Sequence, residues 1–209
     1  MRKIAQRDDI RDLILDGVDA LLARFGFRKM TMEDLAREVG IGKGTIYLHF
    51  PSKEELALAH IDRIAERLLL RLREIAAGPG SSPERLRRML LARVLHRFDS
   101  VTHYSQNLDD LLSSVRTPLL ARRRAHFEKE AAVLAEVLRD GCAQGVFCSA
   151  EIRASAQALV WCTNSLLPFS LSARELGERD ELEQRVTGIV DLLLKGLLRR
   201  SPGPSKRRR

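Results

Sequence analysis

TMEDLAREVGIGKGTIYLHF, residues 31–50, contains a helix start, a glycine turn and a second short helix within twenty residues. Thr31 and Asp34 have the spacing of a capping box, and Asp34 also puts negative charge at the positive end of the helix. Met32, Leu35, Ala36 and Val39 recur at i, i+3, i+4 and i+7 and make a narrow inward stripe, with Ala36 small enough for a close crossing. Gly40 sits where the chain turns, a place that favours a residue without a Cβ. Ile41 reads as a buried turn residue, and 43–50 as the second helix. Ile46 and Phe50, four apart, face inward, which leaves Lys43, Gly44, Thr45, Tyr47 and His49 outward. A point charge, a bare backbone position, two hydroxyls and a ring donor suit a phosphate-lined groove. The unit reads as a helix-turn-helix and implies a DNA-binding regulator.

The flanking sequence supports it. Ile10, Leu13, Ile14, Val18, Leu21, Leu22 and Phe25 keep helical spacing from about Asp8, and Gly26 can close that helix in the left-handed conformation. Pro51 then punctuates the chain, and Ser52 with Glu55 predicts a second capping box. A long helix follows to about Ala77, with Leu56, Ile61, Ile64, Leu68, Leu72 and Ile75 on its buried side.

The run GIGKGTIYLHFPSKEEL, residues 40–56, resembles the N-terminal signature of the TetR family of transcriptional regulators, and the likeness extends back through Phe25-Gly26-Phe27 and Thr31 to about Asp8. The resemblance implies DNA contacts at Thr31, Lys43, Gly44, Tyr47, His49 and Lys53, the last touching phosphate at the start of the next helix. Two positions depart from the family pattern. Gly42 stands where a serine or threonine cap is usual, and Leu48 where an aromatic residue or histidine is common, so base preference does not transfer from relatives.

The formal charge of +8 is not the warrant for DNA binding. Residues 1–50 hold nine Lys/Arg against eight Asp/Glu, whereas Lys195, Arg199, Arg200, Lys206, Arg207, Arg208 and Arg209 have no acidic neighbour after Asp191. The SPGPSKRRR end reads as a disordered basic tail. Few aromatics and abundant Leu, Ala, Arg and Glu favour an all-α protein. No apolar run approaches the ~20 residues that span a bilayer, and MRKIAQRDD lacks a secretory apolar region, so the expectation is a cytoplasmic protein with no membrane partner. Cys142, Cys148 and Cys162 have neither disulfide nor zinc spacing and read as small core residues, with no metal or cofactor expected.

About nine helices are predicted, divided as 1–51 for a three-helix DNA-binding domain, 52–200 for a helical effector-binding and dimerisation domain, and 201–209 for the tail. The segment 78–83 breaks the long helix, and Pro83 suits the first turn of the next, which runs to about Ser100. A short helix is expected near 107–114, one from Thr117-Pro118 to Gly141 or Gln144, one capped by Ser149 and broken at Pro168, and a last one through Leu197. Ile152, Ala156 and Leu159, with Leu182, Val186, Ile189, Leu193 and Leu197, form stripes broader than one neighbour covers, and predict the four-helix interface of a homodimer. The family resemblance implies the same interface and a small effector. Candidate effector contacts are Phe98, His103, Tyr104, Phe127, Phe147, Trp161, Cys162, Asn164 and Phe169, an apolar pool that favours a hydrophobic or amphipathic ligand.

The function expected is a dimeric regulator, in the family's usual mode a repressor, released from a palindromic double-stranded operator by its effector. A non-specific DNA-coating protein is the alternative. A cysteine hydrolase pairing Cys142 or Cys162 with His103 or His126 lacks any nucleophile elbow, phosphate loop or metal-spaced motif, so no catalytic residue is assigned.

Overall fold

Nine α-helices account for nearly all the chain that the computed structural model describes, residues 7–102, 104, 108–166 and 177–198. They are α1 (Arg7–Lys29), α2 (Met32–Val39), α3 (Lys43–His49), α4 (Lys53–Ala77), α5 (Ser82–Val101), α6 (Leu108–Ser114), α7 (Arg116–Ala143), α8 (Ile152–Cys162) and α9 (Arg179–Leu197). A short 3₁₀ turn, Asn164–Leu166, follows α8. The only β pairing among the described residues is a single antiparallel bridge between Phe147 and Leu198. The expected all-α class and helix number are therefore met.

The first three helices form a small head. Gly26 breaks α1 with φ 69° and ψ 169°, and the turn beyond it buries Phe27 and Met30 under the head. Ile14, Val18, Leu21 and Leu22 of α1 meet Leu35 of α2 and Ile46 of α3 in one apolar cluster, which Phe50 closes. α1 crosses α2 closely at Gly17, where a Cβ would lie 2.5 Å from Val39 Cγ1.

α4 packs on α1 at its start and on α5 and α7 along the rest of its length. Its capping at Ser52 is half the expected box: Glu55 N–H donates to Ser52 Oγ at 3.1 Å, but the Glu55 carboxylate pairs with Arg122 of α7 at 2.8 Å. Asp62 of α4 also accepts from Arg122 at 2.7 Å and lies 2.8 Å from His126 Nε2, which fastens α4 to α7 along one seam. Burial opposes ionisation of Asp62, but the hydrogen bonds from His126 and Arg122 outweigh it and hold the carboxyl below its ordinary range. Next to Asp62, Arg63 of α4 reaches Asp16 of α1 at 2.6 Å, and Arg28 at the end of α1 pairs with Asp110 of α6 at 3.0 Å.

α8 lies on α7, and α9 on α5. Three expectations change here. The N-cap of α8 is Glu151, not Ser149, whose hydroxyl bonds Ser155 Oγ at 2.8 Å. α8 ends at Cys162, because the Thr163 hydroxyl turns back to Leu159 O at 2.9 Å and the chain tightens into the 3₁₀ turn, well before Pro168. α7 begins at Arg116, with Pro118 inside its first turn. The expectations for Pro168 and for the tail 201–209 lie outside the described residues.

Gly17→Ala should destabilise the protein by about 1–3 kcal/mol through overpacking against Val39, measurable as a lower urea midpoint at unchanged slope. Asp62→Asn should lower the melting temperature at neutral pH. Since folding depresses the Asp62 pKa, its contribution is present above the unfolded value and is lost as pH falls through the folded one, so wild type and variant should converge in acid.

Candidate nucleic-acid interface

The turn between α2 and α3 is built by backbone geometry more than by side chains. Thr31 Oγ1 accepts from Asp34 N–H at 3.1 Å and Thr31 N–H donates to Asp34 Oδ2 at 3.2 Å, so the reciprocal cap is present. The Thr31 hydroxyl lowers the pKa of Asp34, which stays ionised at the positive helix end. Gly40 adopts φ 70° and ψ 31°, and its N–H and that of Ile41 both return to Ala36 O. At Gly42 no side chain caps α3; the Gly42 carbonyl accepts from Thr45 N–H at 2.9 Å and from Ile46 N–H at 3.3 Å. The amide groups at the start of α3 thus keep free donors at a positive helix end, a polarity suited to phosphate.

Ile46 is fully buried and Phe50, the C-cap, is 1% exposed, and together they fix α3 against α1. The opposite side of α3 presents Lys43, Gly44, Tyr47 and Leu48 to solvent, with half-buried Thr45 and His49 flanking. Tyr47 is 42% exposed, and a Cβ at Gly44 would meet nothing within 4 Å. Lys43 pairs with Glu33 from α2, a carboxylate that phosphate would displace. Lys53, at the first position of α4, donates to Arg28 O at 3.2 Å and lies 4.5 Å from the Phe27 ring centroid; partial burial lowers its pKa. Of the seven candidate DNA residues, Thr31 caps α2, with its hydroxyl engaged in that cap, Lys43, Gly44, Thr45, Tyr47 and His49 lie on α3, and Lys53 opens α4.

Leu48 was not among the candidates, although at 78% exposure it is the most exposed large apolar side chain described. Its signal was its register: one after Tyr47 and four after Gly44, it falls in the middle of the outward face.

The effector pool does not converge. Phe98, Phe127 and Phe147 are core residues, and Phe147 fills the space above Gly141. Tyr104 is 3.0 Å from His60 of α4, near the head. Phe127 and Trp161 meet edge to face at 5.8 Å. Asn164 is half-buried, with Oδ1 lacking a partner, Cys162 is exposed, and His103 and Phe169 lie outside the described residues. Cys148 is exposed and Cys142 half-buried, which corrects their reading, with Cys162, as small core residues.

The dimer candidates are corrected in part. Ala156, Leu159, Leu182 and Val186 are buried within their own chain, because α8 and α9 turn these residues onto α7 and α5. Ile152, Ile189, Leu193 and Leu197 are half-buried and pack against the same core. The faces left open carry Ala154, Ala158 and Trp161 on α8, and Gly188, Leu192 and Gly196 on α9. Among the described residues no helix is long and apolar enough to cross a membrane.

A three-helix head with a glycine turn, standing on an all-helical body through one long helix, defines a helix-turn-helix DNA-binding regulator. Residues 14–60 match the family described as bacterial regulatory proteins, tetR family. It is 28% identical over 149 residues to the HTH-type transcriptional repressor KstR2 of Mycobacterium tuberculosis, covering 70% of this chain and 73% of that protein. The crystal structure of a transcriptional regulator from Cytophaga hutchinsonii superposes with TM-score 0.74 at 22% identity, over 90% of this chain and 98% of the other. FadR from Bacillus subtilis, solved in complex with stearoyl-CoA, gives TM-score 0.67 at 16% identity, over 89% and 98%.

Tyr47→Ala should cost roughly 1–3 kcal/mol on the preferred DNA site and little on random duplex, as for a positioned groove contact. Lys53→Ala should weaken both alike and reduce the salt slope of binding by about one. Filter binding at several salt concentrations reads both.

Proposed function

We propose that this chain is a dimeric repressor that leaves a palindromic operator when a small hydrophobic or amphipathic effector binds its helical body. The observation that carries the DNA half of this reading is the outward face of α3, held rigid from behind by Ile46 and Phe50 and free of side-chain capping at Gly42. Thr31, Lys43, Gly44, Thr45, Tyr47, His49 and Lys53 are the proposed contacts. Leu48 joins them as an apolar contact for a thymine methyl group. The proposed division is a head of 1–51 and a body of 52–200, with the start of α4 packed on the head.

Two such heads must sit about one DNA turn, ~34 Å, apart to read a palindrome. Small residues on open helix faces support the partner surface. Ala154 and Ala158 lie one turn apart on α8, while on α9 Gly188 and Gly196 bracket Leu192, which is 70% exposed. Such faces let two helix pairs approach closely and bury Leu192 between them. The proposed interface therefore uses the sides of α8 and α9 opposite to the core.

In the effector half, α4 is the lever. It runs from the head to the body without interruption, and a ligand that favours a different α4 position changes the spacing of the two α3 helices. Moving the population from mostly bound to mostly released takes about 5.5 kcal/mol of preference between the two states. The stearoyl-CoA bound by the structurally similar FadR supports an apolar component in the effector.

Selection of genomic fragments on the purified protein should return an inverted repeat that survives excess unrelated duplex at moderate salt; recovery of random fragments alone would favour the DNA-coating alternative. Leu192→Arg should give a monomer by sedimentation and lose the palindrome while the head stays folded. A wild-type protein that sediments as a monomer at micromolar concentration would overturn the dimer.

A further inference from the structure

Inside the body lies a charge cluster that helix packing alone does not require. Arg93 and Arg97, one turn apart on α5, are both buried, as is Glu130 of α7. Arg93 Nε donates to Glu130 Oε2 at 2.6 Å, Arg97 pairs with Glu130 Oε1, and Arg93 Nη1 donates to Thr163 Oγ1 at 2.6 Å. Arg93 Nη2 is buried with no partner. Arg123 of α7, half-buried, has no carboxylate partner among the described residues, and its guanidinium stands 5.4 Å from the Phe127 ring centroid. Arg93 and Arg97 approach the same ring at 4.9 and 5.9 Å. Three guanidinium groups therefore surround one phenyl ring, and one carboxylate faces them.

An unbalanced buried cation costs several kcal/mol, and apolar residues of similar volume would serve stability at least as well. The electrostatics agree. Burial, only partly offset by Glu130 and reinforced by Arg97, pushes Arg93 down to about 10, while Arg97 and Arg93 overcome the burial of Glu130 and hold its carboxyl below the ordinary range.

Arg97 and Arg123, with His126, are the polar residues lining a cleft between α4 and α7, whose apolar walls include Ile61, Ile64 and Leu119. We propose that this cleft is the effector site and that the effector is a carboxylate-bearing amphiphile, its head group on Arg97 and Arg123 and its apolar part between α4 and α7. The free volume is about 20 Å³, room for one water and not for an organic molecule. The ligand must therefore part α4 from α7, which couples binding to the helix that carries the head. This deepens the ligand-release reading above and rests on it.

The test uses the full chain without DNA. Trp161, the sole tryptophan, lies 5.8 Å from Phe127, so its emission reports on the cleft. Decanoate and phenylbutyrate, each beside its alcohol and its primary amine, are titrated below micelle-forming concentrations. Each carboxylate should bind about tenfold or more tighter than its alcohol, the size of one charge-assisted contact, and the amines should not bind. Arg123→Gln should remove that preference at unchanged melting temperature, and Arg123→Lys should restore part of it. Equal binding of acid and alcohol, no response to either acid, or an unaltered preference in Arg123→Gln would overturn the site. Operator binding is followed in parallel. Acid binding that leaves operator affinity unchanged keeps the site and removes the release reading, whereas release by a neutral compound without any response to acids does the reverse.

Discussion

The burial of α4 on two separate neighbours is the constraint from which the rest of the structure follows. Leu56 and Ala57 at its start, and Leu68 and Leu72 further along, are all buried in one continuous apolar cluster, and the helix packs on α1 as well as on α5 and α7. A helix of 25 residues is roughly 37 Å long, so one rigid rod reaches from the DNA-facing unit to the middle of the chain. The rod has no glycine or proline between Lys53 and Ala77 to bend it. Polar ties hold its N-terminal half on two sides: Arg63 to Asp16 of α1, and Asp62 with Glu55 to Arg122 of α7.

The two ends of the lever carry opposite electrostatic designs. At the head, exposed Lys43 keeps a carboxylate partner, Glu33, that water screens, so the pair is weakly held. In the body, Arg93 and Arg97 are held in low dielectric with a single carboxylate between them, where an unmatched charge is felt strongly. The first arrangement suits a large polyanion that binds from solvent. The second suits a small anion that must first be desolvated.

The open faces of α8 and α9 follow from how these helices rest on the body. Ala156 and Leu159 turn onto α7, and Val186 and Val190 turn inward from α9, leaving Ala158 and Leu192 outward. Periodicity announced amphipathic helices but counted both apolar sides as one broad stripe. Which side is covered depends on the crossing with α7 and α5, and no local pattern records that angle.

The amino-acid sequence by itself determined the head: the Thr31 and Asp34 cap, the left-handed Gly40, and the inward Ile46 and Phe50 act within a few residues of one another, so local geometry and periodicity are sufficient. It also determined the all-helical class and the length of α4. Only the tertiary structure decided that Gly17 is a tight crossing of the head and that the aromatic pool scatters. It alone brought Arg93 to Glu130 and Thr163, 37 and 70 residues away. A hint was present, since Arg93 and Arg97 occupy the register of an otherwise apolar stripe with Leu86, Met89, Leu90 and Val94. Their convergence is a property of three helices packed together, and burial, which gives those charges their energy, exists only once the chain has folded.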